Sequence, residues 1–353
     1  MQSALPAWLW RDPRPLYASS RYKTADPESP VRFVQVFQSL PWLEPFYMEW
    51  EKNFDVSSSF QVIRDNEALP IVATILYLSF LIEGKKYIER RRREGKGPIN
   101  LGLFPAFWNA FLAAFSVLGA TRVVPHFLFL FTHKDFKTTV CEAPDKAGYG
   151  DGAAGMWVML FTVSKLFELV DTVILVLKGK DPMFLHWYHH VTVLLYTWFS
   201  YSARNPGIYF VAMNYSVHAL MYSYYFLMEL RLWPKWFNPM WITMAQILQM
   251  LVGVGITVSA FFFSRDPSCA LVRGLIPWCA AMYATYLYFF VLFFLERFFP
   301  AFKPAAPGAA RGLSGGKAGR TGGGGGGGEG GGRCRRRGKG GGDSGPRRGK
   351  RSR

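Results

Sequence analysis

Three histidines within five residues, His186, His189 and His190, sit in a segment otherwise made of aromatic and aliphatic side chains. His186 and His190 are i, i+4 neighbours and His186 and His189 are i, i+3 neighbours. A helix therefore turns all three broadly to one side. One histidine on an apolar helix is usually a core residue with its hydrogen bonds satisfied; three in five residues ask for a chemical role. Two roles are open. Imidazoles ligate metals. A buried, neutral imidazole is also a nucleophile toward a thioester, with a second histidine able to take the proton.

Three further polar clusters interrupt apolar segments. Lys165, Glu168 and Thr172 fall on one helical face, with Asp171 on its edge. Lys165 and Glu168 are spaced to pair, either as a structural lock between helices or as part of a site. Asn214, His218 and Tyr222 form an i, i+4, i+8 stripe with Met221 beside it. Gln246 and Gln249 stand at i, i+3, a spacing that serves interhelical amide bonds as well as substrate contacts. Asn214-Tyr-Ser matches a glycosylation sequon, but it lies in the middle of an apolar run and is discounted.

The elements that carry these residues read as membrane spans. Of 353 residues half are apolar and 17% aromatic, while only 18% are charged, below the usual quarter of a globular chain. Seven stretches are candidate spans: 68–83, 101–124, 153–177, 183–201, 207–229, 239–263 and 274–299. The first is short and the fourth carries the histidine cluster, so these two are the weakest by hydropathy. Pro182, Pro206 and Pro234 punctuate the breaks after the third, fourth and fifth. The net charge of +17 is concentrated in Lys85–Lys96 and in the last fifty residues. That pattern argues against a nucleic-acid-binding domain and fits basic cytosolic loops. It orients the chain with its N-terminus lumenal and its C-terminus cytosolic.

Residues 1–67 form an arm before the membrane domain of 68–299. Its stretch Phe33–Phe54 is aromatic and amphipathic, suited to the membrane interface or to an ordered pre-membrane arm. Residues 300–353 form a Gly/Arg-rich cytosolic tail, expected to be disordered because it has too little apolar surface to offset its ordering entropy. Such a tail is solvated, or binds RNA or anionic lipid. It ends Lys350-Arg-Ser-Arg, which resembles a dibasic endoplasmic reticulum retrieval signal and is also easily matched by chance in so basic a tail. This topology puts Cys141 and Cys269 together on the lumenal side, either bridged in an oxidising compartment or as two free thiols. Cys279 falls inside a span and Cys334 in the tail.

Metal and nucleophile can be weighed by counting. Membrane oxidases with two irons use roughly eight or more histidines across several boxes. This chain has six, and His126 and His133 lie in or near a lumenal loop. A single zinc remains open, but no cysteine pair or carboxylate triad supports it. The expectation is no metal and no cofactor.

Taken together, Lys165-x-x-Glu168-x-x-Asp171-Thr172, His186-x-x-His189-His190, Asn214-x-x-x-His218-x-x-Met221-Tyr222 and Gln246-x-x-Gln249 resemble the very-long-chain fatty acid elongase family over residues 68–299. The two lumenal cysteines look like that family's disulfide. The resemblance implies an all-α membrane protein of seven transmembrane helices. Six would form a barrel around an acyl tunnel that opens to the cytosol and closes toward the lumen. It implies a 3-oxoacyl-CoA synthase of the endoplasmic reticulum membrane that condenses acyl-CoA with malonyl-CoA, releasing CO2 and CoA, through an acyl-imidazole.

On that scheme His189 is the nucleophile, and His218 positions or deprotonates. His186 and His190 orient the site. Asn214, Tyr222, Gln246 and Gln249 donate to oxyanions or pantetheine, and Lys165 meets CoA phosphates or carboxylate near the cytosolic mouth. Glu168 and Asp171 complete the substrate-binding set. Asp181 stands where elongases of polyunsaturated acids carry Gln, so the chain looks like the saturated and monounsaturated group. The implied partners are the bilayer, the two CoA thioesters, the ketoreductase, dehydratase and enoyl reductase of the elongation cycle, and a second copy in a homodimer; no nucleic acid is expected. The rivals are a seven-span receptor or transporter and a metal-dependent oxidase.

Overall fold

The structure, a computed structural model, describes residues 35–147 and 149–299, and every regular element among them is helical. Residues 1–34 and the whole expected tail, 300–353, lie outside the described residues. The long helices are α1 (Ala68–Arg93), α2 (Phe104–His133), α3 (Gly152–Leu177), α4 (Phe184–Ser202), α5 (Ile208–Glu229), α6 (Met240–Phe263) and α7 (Leu275–Phe298).

The last five begin and end within one residue of the apolar segments expected. The first two run longer. α1 continues ten residues beyond 83, to Arg93, because Lys and Arg are good helix formers and four arginines complement the dipole in its last turn. α2 runs through Pro125 to His133, so His126 and His133 belong to a helix and not to a loop. A proline inside a long apolar helix is tolerated where neighbours re-satisfy the freed backbone groups.

Among the described residues four helices, α1, α2, α6 and α7, are long and apolar enough to cross a membrane. The other three long helices, α3, α4 and α5, carry the lysine, carboxylate and histidine clusters.

Packing follows the small residues. A Cβ on Gly119 of α2 would stand 2.4 Å from the ring of Tyr215 on α5, and one on Gly253 of α6 would stand 2.2 Å from Tyr283 on α7. Only glycine admits these rings, so α2 lies close on α5 and α6 close on α7. The contacts continue from α2 to α3, α3 to α4, α4 to α7 and α5 to α6, while α1 packs against α3 and α4.

Residues 35–67 are stapled to the bundle end where α3 begins. The short helix Val56–Asp65 lies on α4: Ser59 shares a 2.7 Å hydrogen bond with Tyr201, and the Trp198 indole donates to the Ile63 carbonyl at 3.0 Å. Glu51 is buried between Arg122 and Trp157, accepting at 3.1 and 2.9 Å. The Arg122 guanidinium stacks 3.9 Å from the Tyr47 ring centroid. Burial pushes the Tyr47 hydroxyl up to about 12.

The connections after α2 and α6 are tied together at that same end. Cys141 and Cys269 are disulfide-bonded across 128 residues of sequence. The Ala270 amide donates to the Cys141 carbonyl at 2.9 Å, and Lys137 pairs with Asp266. Cys279 is free and buried.

Candidate functional site

The site starts from α3. Lys165, Glu168 and Thr172 are almost fully enclosed, at 2%, 3% and 0% exposure, and Asp171 sits at the edge of the same face. Buried charges persist only when paired. Lys165 Nζ donates to Glu168 Oε1 at 2.6 Å and to Asn214 Oδ1 at 3.2 Å, and it also lies 4.1 Å from the Phe161 ring centroid. Glu168 Oε1 further accepts from Ser164 at 3.3 Å, while buried Oε2 has no hydrogen-bond partner among the described residues. Lys165 is therefore committed to two partners, Glu168 and Asn214, near the middle of α3.

The polar stripe of α5 meets this face step by step. Asn214 binds Lys165; His218 Nδ1 stands 3.9 Å from Glu168 Oε1; the Tyr222 hydroxyl donates to Asp171 Oδ2 at 2.6 Å. Each turn of α5 presents one polar residue to one member of the α3 cluster. The other oxygen of Asp171 accepts from the Trp108 indole of α2 at 2.8 Å. Asn214 is buried against Lys165, as expected of a sequon that is not used.

The histidines of α4 divide. His186 Nε2 is 2.9 Å from the Thr172 hydroxyl, which itself lies 2.8 Å from the Tyr77 hydroxyl of α1. His190 is buried with its ring 4.6 Å from that of His186, and its Nδ1 has no hydrogen-bond partner among the described residues. His189 is turned toward α7: its ring is 5.1 Å from Tyr286, whose hydroxyl reaches the His189 carbonyl at 3.4 Å and also bonds Thr192. The expectation that all three rings point to one side thus holds for His186 and His190 only. The His189 ring remains 5.5 Å from that of His190 and within electrostatic reach of His218, Glu168 and Lys165.

The two glutamines of α6 border the same region from α5. Gln246 Nε2 lies 3.3 Å from the Met221 sulfur, and Gln249 is buried. Two small cavities, about 30 and about 60 Å³, share Tyr196, Asn205, Gly207 and Phe210 as walls; neither is lined by a histidine. Among the described residues no three His, Cys, Asp or Glu side chains converge with metal-holding spacing.

Sequence reasoning missed Tyr77, Trp108, Thr192 and Tyr286. Each is an aromatic or hydroxyl side chain in an apolar run, where the one-letter pattern does not separate a residue facing the site from one facing lipid.

What the arrangement can do follows from its parts. The His189 imidazole lies 5.5 Å from that of His190, which in turn lies 4.6 Å from that of His186. One wall holds hydrogen-bond donors in Lys165, Tyr222 and Trp108, and a carboxylate faces His218. Clustered imidazoles beside a buried polar wall suit attack on an activated acyl group with a proton acceptor at hand.

Residues 62–305 match the family described as ELO: GNS1/SUR4 family. The chain is 36% identical over 248 residues to "Putative fatty acid elongase 3" of Caenorhabditis elegans, covering 69% of this chain and 75% of that protein. It is 36% identical over 244 residues to "Very long chain fatty acid elongase 6" of Gallus gallus, and 34% identical over 244 residues to the Homo sapiens protein of that name. Both matches cover 69% of this chain and 89% of the relative.

Proposed function

This chain belongs to the ELO family and is a multi-pass membrane enzyme of fatty acid elongation, and from that premise we propose that it catalyses the condensing step. The substrates are a long-chain saturated or monounsaturated acyl-CoA and malonyl-CoA; the products are 3-ketoacyl-CoA, CO2 and CoA. The observation that carries the reading is the double engagement of α3. Through Thr172 it holds the histidine helix α4, and through Lys165, Glu168 and Asp171 it holds Asn214, His218 and Tyr222 of α5. One buried polar wall thereby serves both α4, with its three histidines, and α5, with His218.

The chemistry runs in two halves. A ring nitrogen of His189 attacks the thioester carbonyl, the C–S bond breaks, and the imidazole proton leaves with CoA as its thiol. Malonyl-CoA then loses CO2, and the resulting carbanion forms the new C–C bond at the acyl carbon. The C–N bond breaks and the departing imidazolide takes up one proton. In this scheme His218, which faces Glu168 at 3.9 Å, moves that proton. Tyr222 and Asn214 are candidate donors to developing oxyanions.

All seven long helices cross the endoplasmic reticulum membrane in this reading, with the N-terminus lumenal and the C-terminus cytosolic. The circuit of contacts α2–α3–α4–α7–α6–α5–α2 supports a six-helix barrel around the acyl chain, with α1 outside. The bilayer, a second copy of the chain and the reductases and dehydratase of the cycle are the proposed partners.

The test is intact-protein mass spectrometry after mixing with acyl-CoA alone, alongside malonyl-CoA-dependent elongation in microsomes. The parent chain gains one acyl mass, releases free CoA and elongates; His189→Ala does none of these. Elongation without an adduct or CoA release sinks the covalent scheme. No elongation at any acyl length by the parent sinks the condensing reading.

A further inference from the structure

The hydroxyls of Tyr77 and Thr172 and Nε2 of His186 form a chain of two hydrogen bonds, 2.8 and 2.9 Å, that joins α1 to α4 through α3. Each hydroxyl has one proton to donate, and a neutral imidazole has one. Three proton arrangements fit the distances. If His186 Nε2 donates to Thr172 and Thr172 donates to Tyr77, the Tyr77 proton is left without an acceptor. If Tyr77 and His186 both donate to Thr172, the Thr172 proton is left over. Tyr77 is 5% exposed and Thr172 0%, so either orphan would be a buried unsatisfied donor, which native structures avoid. The remaining arrangement, Tyr77 to Thr172 to His186 Nε2, uses both hydroxyl protons. It leaves the imidazole proton on Nδ1, on a half-buried ring whose Nδ1 is not a buried orphan.

We infer that Tyr77, acting through Thr172, fixes His186 as the neutral tautomer with its proton on Nδ1, so that His186 serves the site as a hydrogen-bond donor and not as a base. Tyr77 is a positioning residue, supplied by the one long helix outside the contact circuit of the other six. The donor suits the carbonyl oxygen of a thioester, on which negative charge grows as the acyl carbon is attacked. No proton is transferred by His186 in this role. The functional part rests on the condensing reading above; the tautomer does not.

The experiment uses the full chain in detergent with ring-15N-labelled histidine. Six histidines give a tractable spectrum, and His186→Gln assigns the resonances. The parent His186 is expected as a single neutral tautomer protonated at Nδ1. Tyr77→Phe and Thr172→Val are expected to give mixed tautomers, and Thr172→Ser to restore the parent pattern. A parent His186 protonated at Nε2, or a Tyr77→Phe spectrum identical to the parent, overturns the inference. Kinetics supply the second readout. Tyr77→Phe lowers kcat several-fold with KM unchanged, and Tyr77→Phe/Thr172→Val is no slower than Thr172→Val alone. Additive losses show two separate effects and overturn it as well. If the parent forms no 3-ketoacyl product, the condensing reading fails while the spectra still decide the tautomer.

Discussion

Lys165 on α3 donates to the side-chain oxygen of Asn214 on α5 at 3.2 Å while holding Glu168 one turn away at 2.6 Å. The amide of α5 completes a charge pair that α3 begins, so the two helices are locked in depth as well as in rotation. Lys165→Met leaves the Glu168 carboxylate buried with its counter-ion gone. Breaking such a pair from one side costs about 3–5 kcal/mol, whereas removing both charges is far milder. Thermal unfolding in detergent should therefore show a large loss for Lys165→Met and a substantial recovery in Lys165→Met/Glu168→Leu. Equal losses in both would mean the pair contributes little.

The arm is held by a second buried pair, Arg122 with Glu51, whose side chains are 8% and 4% exposed. Arg122→Met is expected to release residues ahead of α1 by about 3–5 kcal/mol. Lys52, 3% exposed in the parent, then becomes a trypsin site. Limited proteolysis checks this: cleavage after Lys52 should be much faster in the variant. Unchanged protection would mean the arm is held by the Val56–Asp65 helix alone.

The Cys141–Cys269 bridge spans 128 residues. On chain-entropy grounds a loop of that size contributes on the order of 4–5 kcal/mol. Cys141→Ser/Cys269→Ser, or reduction of the parent, should lower the melting temperature by several degrees. Reduction should have no further effect on the double variant. A reduction-sensitive melt in that variant would contradict the pairing.

Lys137 beside Asp266 holds that carboxyl below its ordinary value, aided by bonds from Ser268. A depressed carboxylate contributes stability that is complete above about 3.8 and disappears as pH falls through its folded-state value. Asp266→Asn should accordingly lower the melting temperature at pH 6. The gap from the parent should close as the buffer is taken below the usual carboxylate range. A gap independent of pH would assign the effect to packing.

Much of the architecture was legible in the chain. Apolar stretches marked all seven long helices, four of which are, among the described residues, long and apolar enough to cross a membrane. Helical spacing grouped Lys165 with Glu168 and Thr172, and Asn214 with His218 and Tyr222, because three- and four-residue steps share a face whatever the surroundings. The two misplaced ends have local causes. The basic run after residue 83 was set apart as a loop, although charge does not end a helix. The second apolar run, expected to end at 124, continues through Pro125 to His133.

The sequence by itself determined which residues are polar within apolar helices, and on which face of each helix they fall. Only the tertiary structure decided what they meet. Lys165, spaced in the sequence to pair with Glu168, is also met by Asn214 of α5. His189 was expected beside His186 and is turned to Tyr286. Tyr77 and Trp108, unremarkable in sequence, bind Thr172 and Asp171. The reason is geometric. Periodicity fixes a residue's angle about its own helix axis. The partner depends on the rotation and depth of neighbouring helices, set here by contacts such as Gly119 on Tyr215 and Gly253 on Tyr283, more than ninety and about thirty residues apart along the chain.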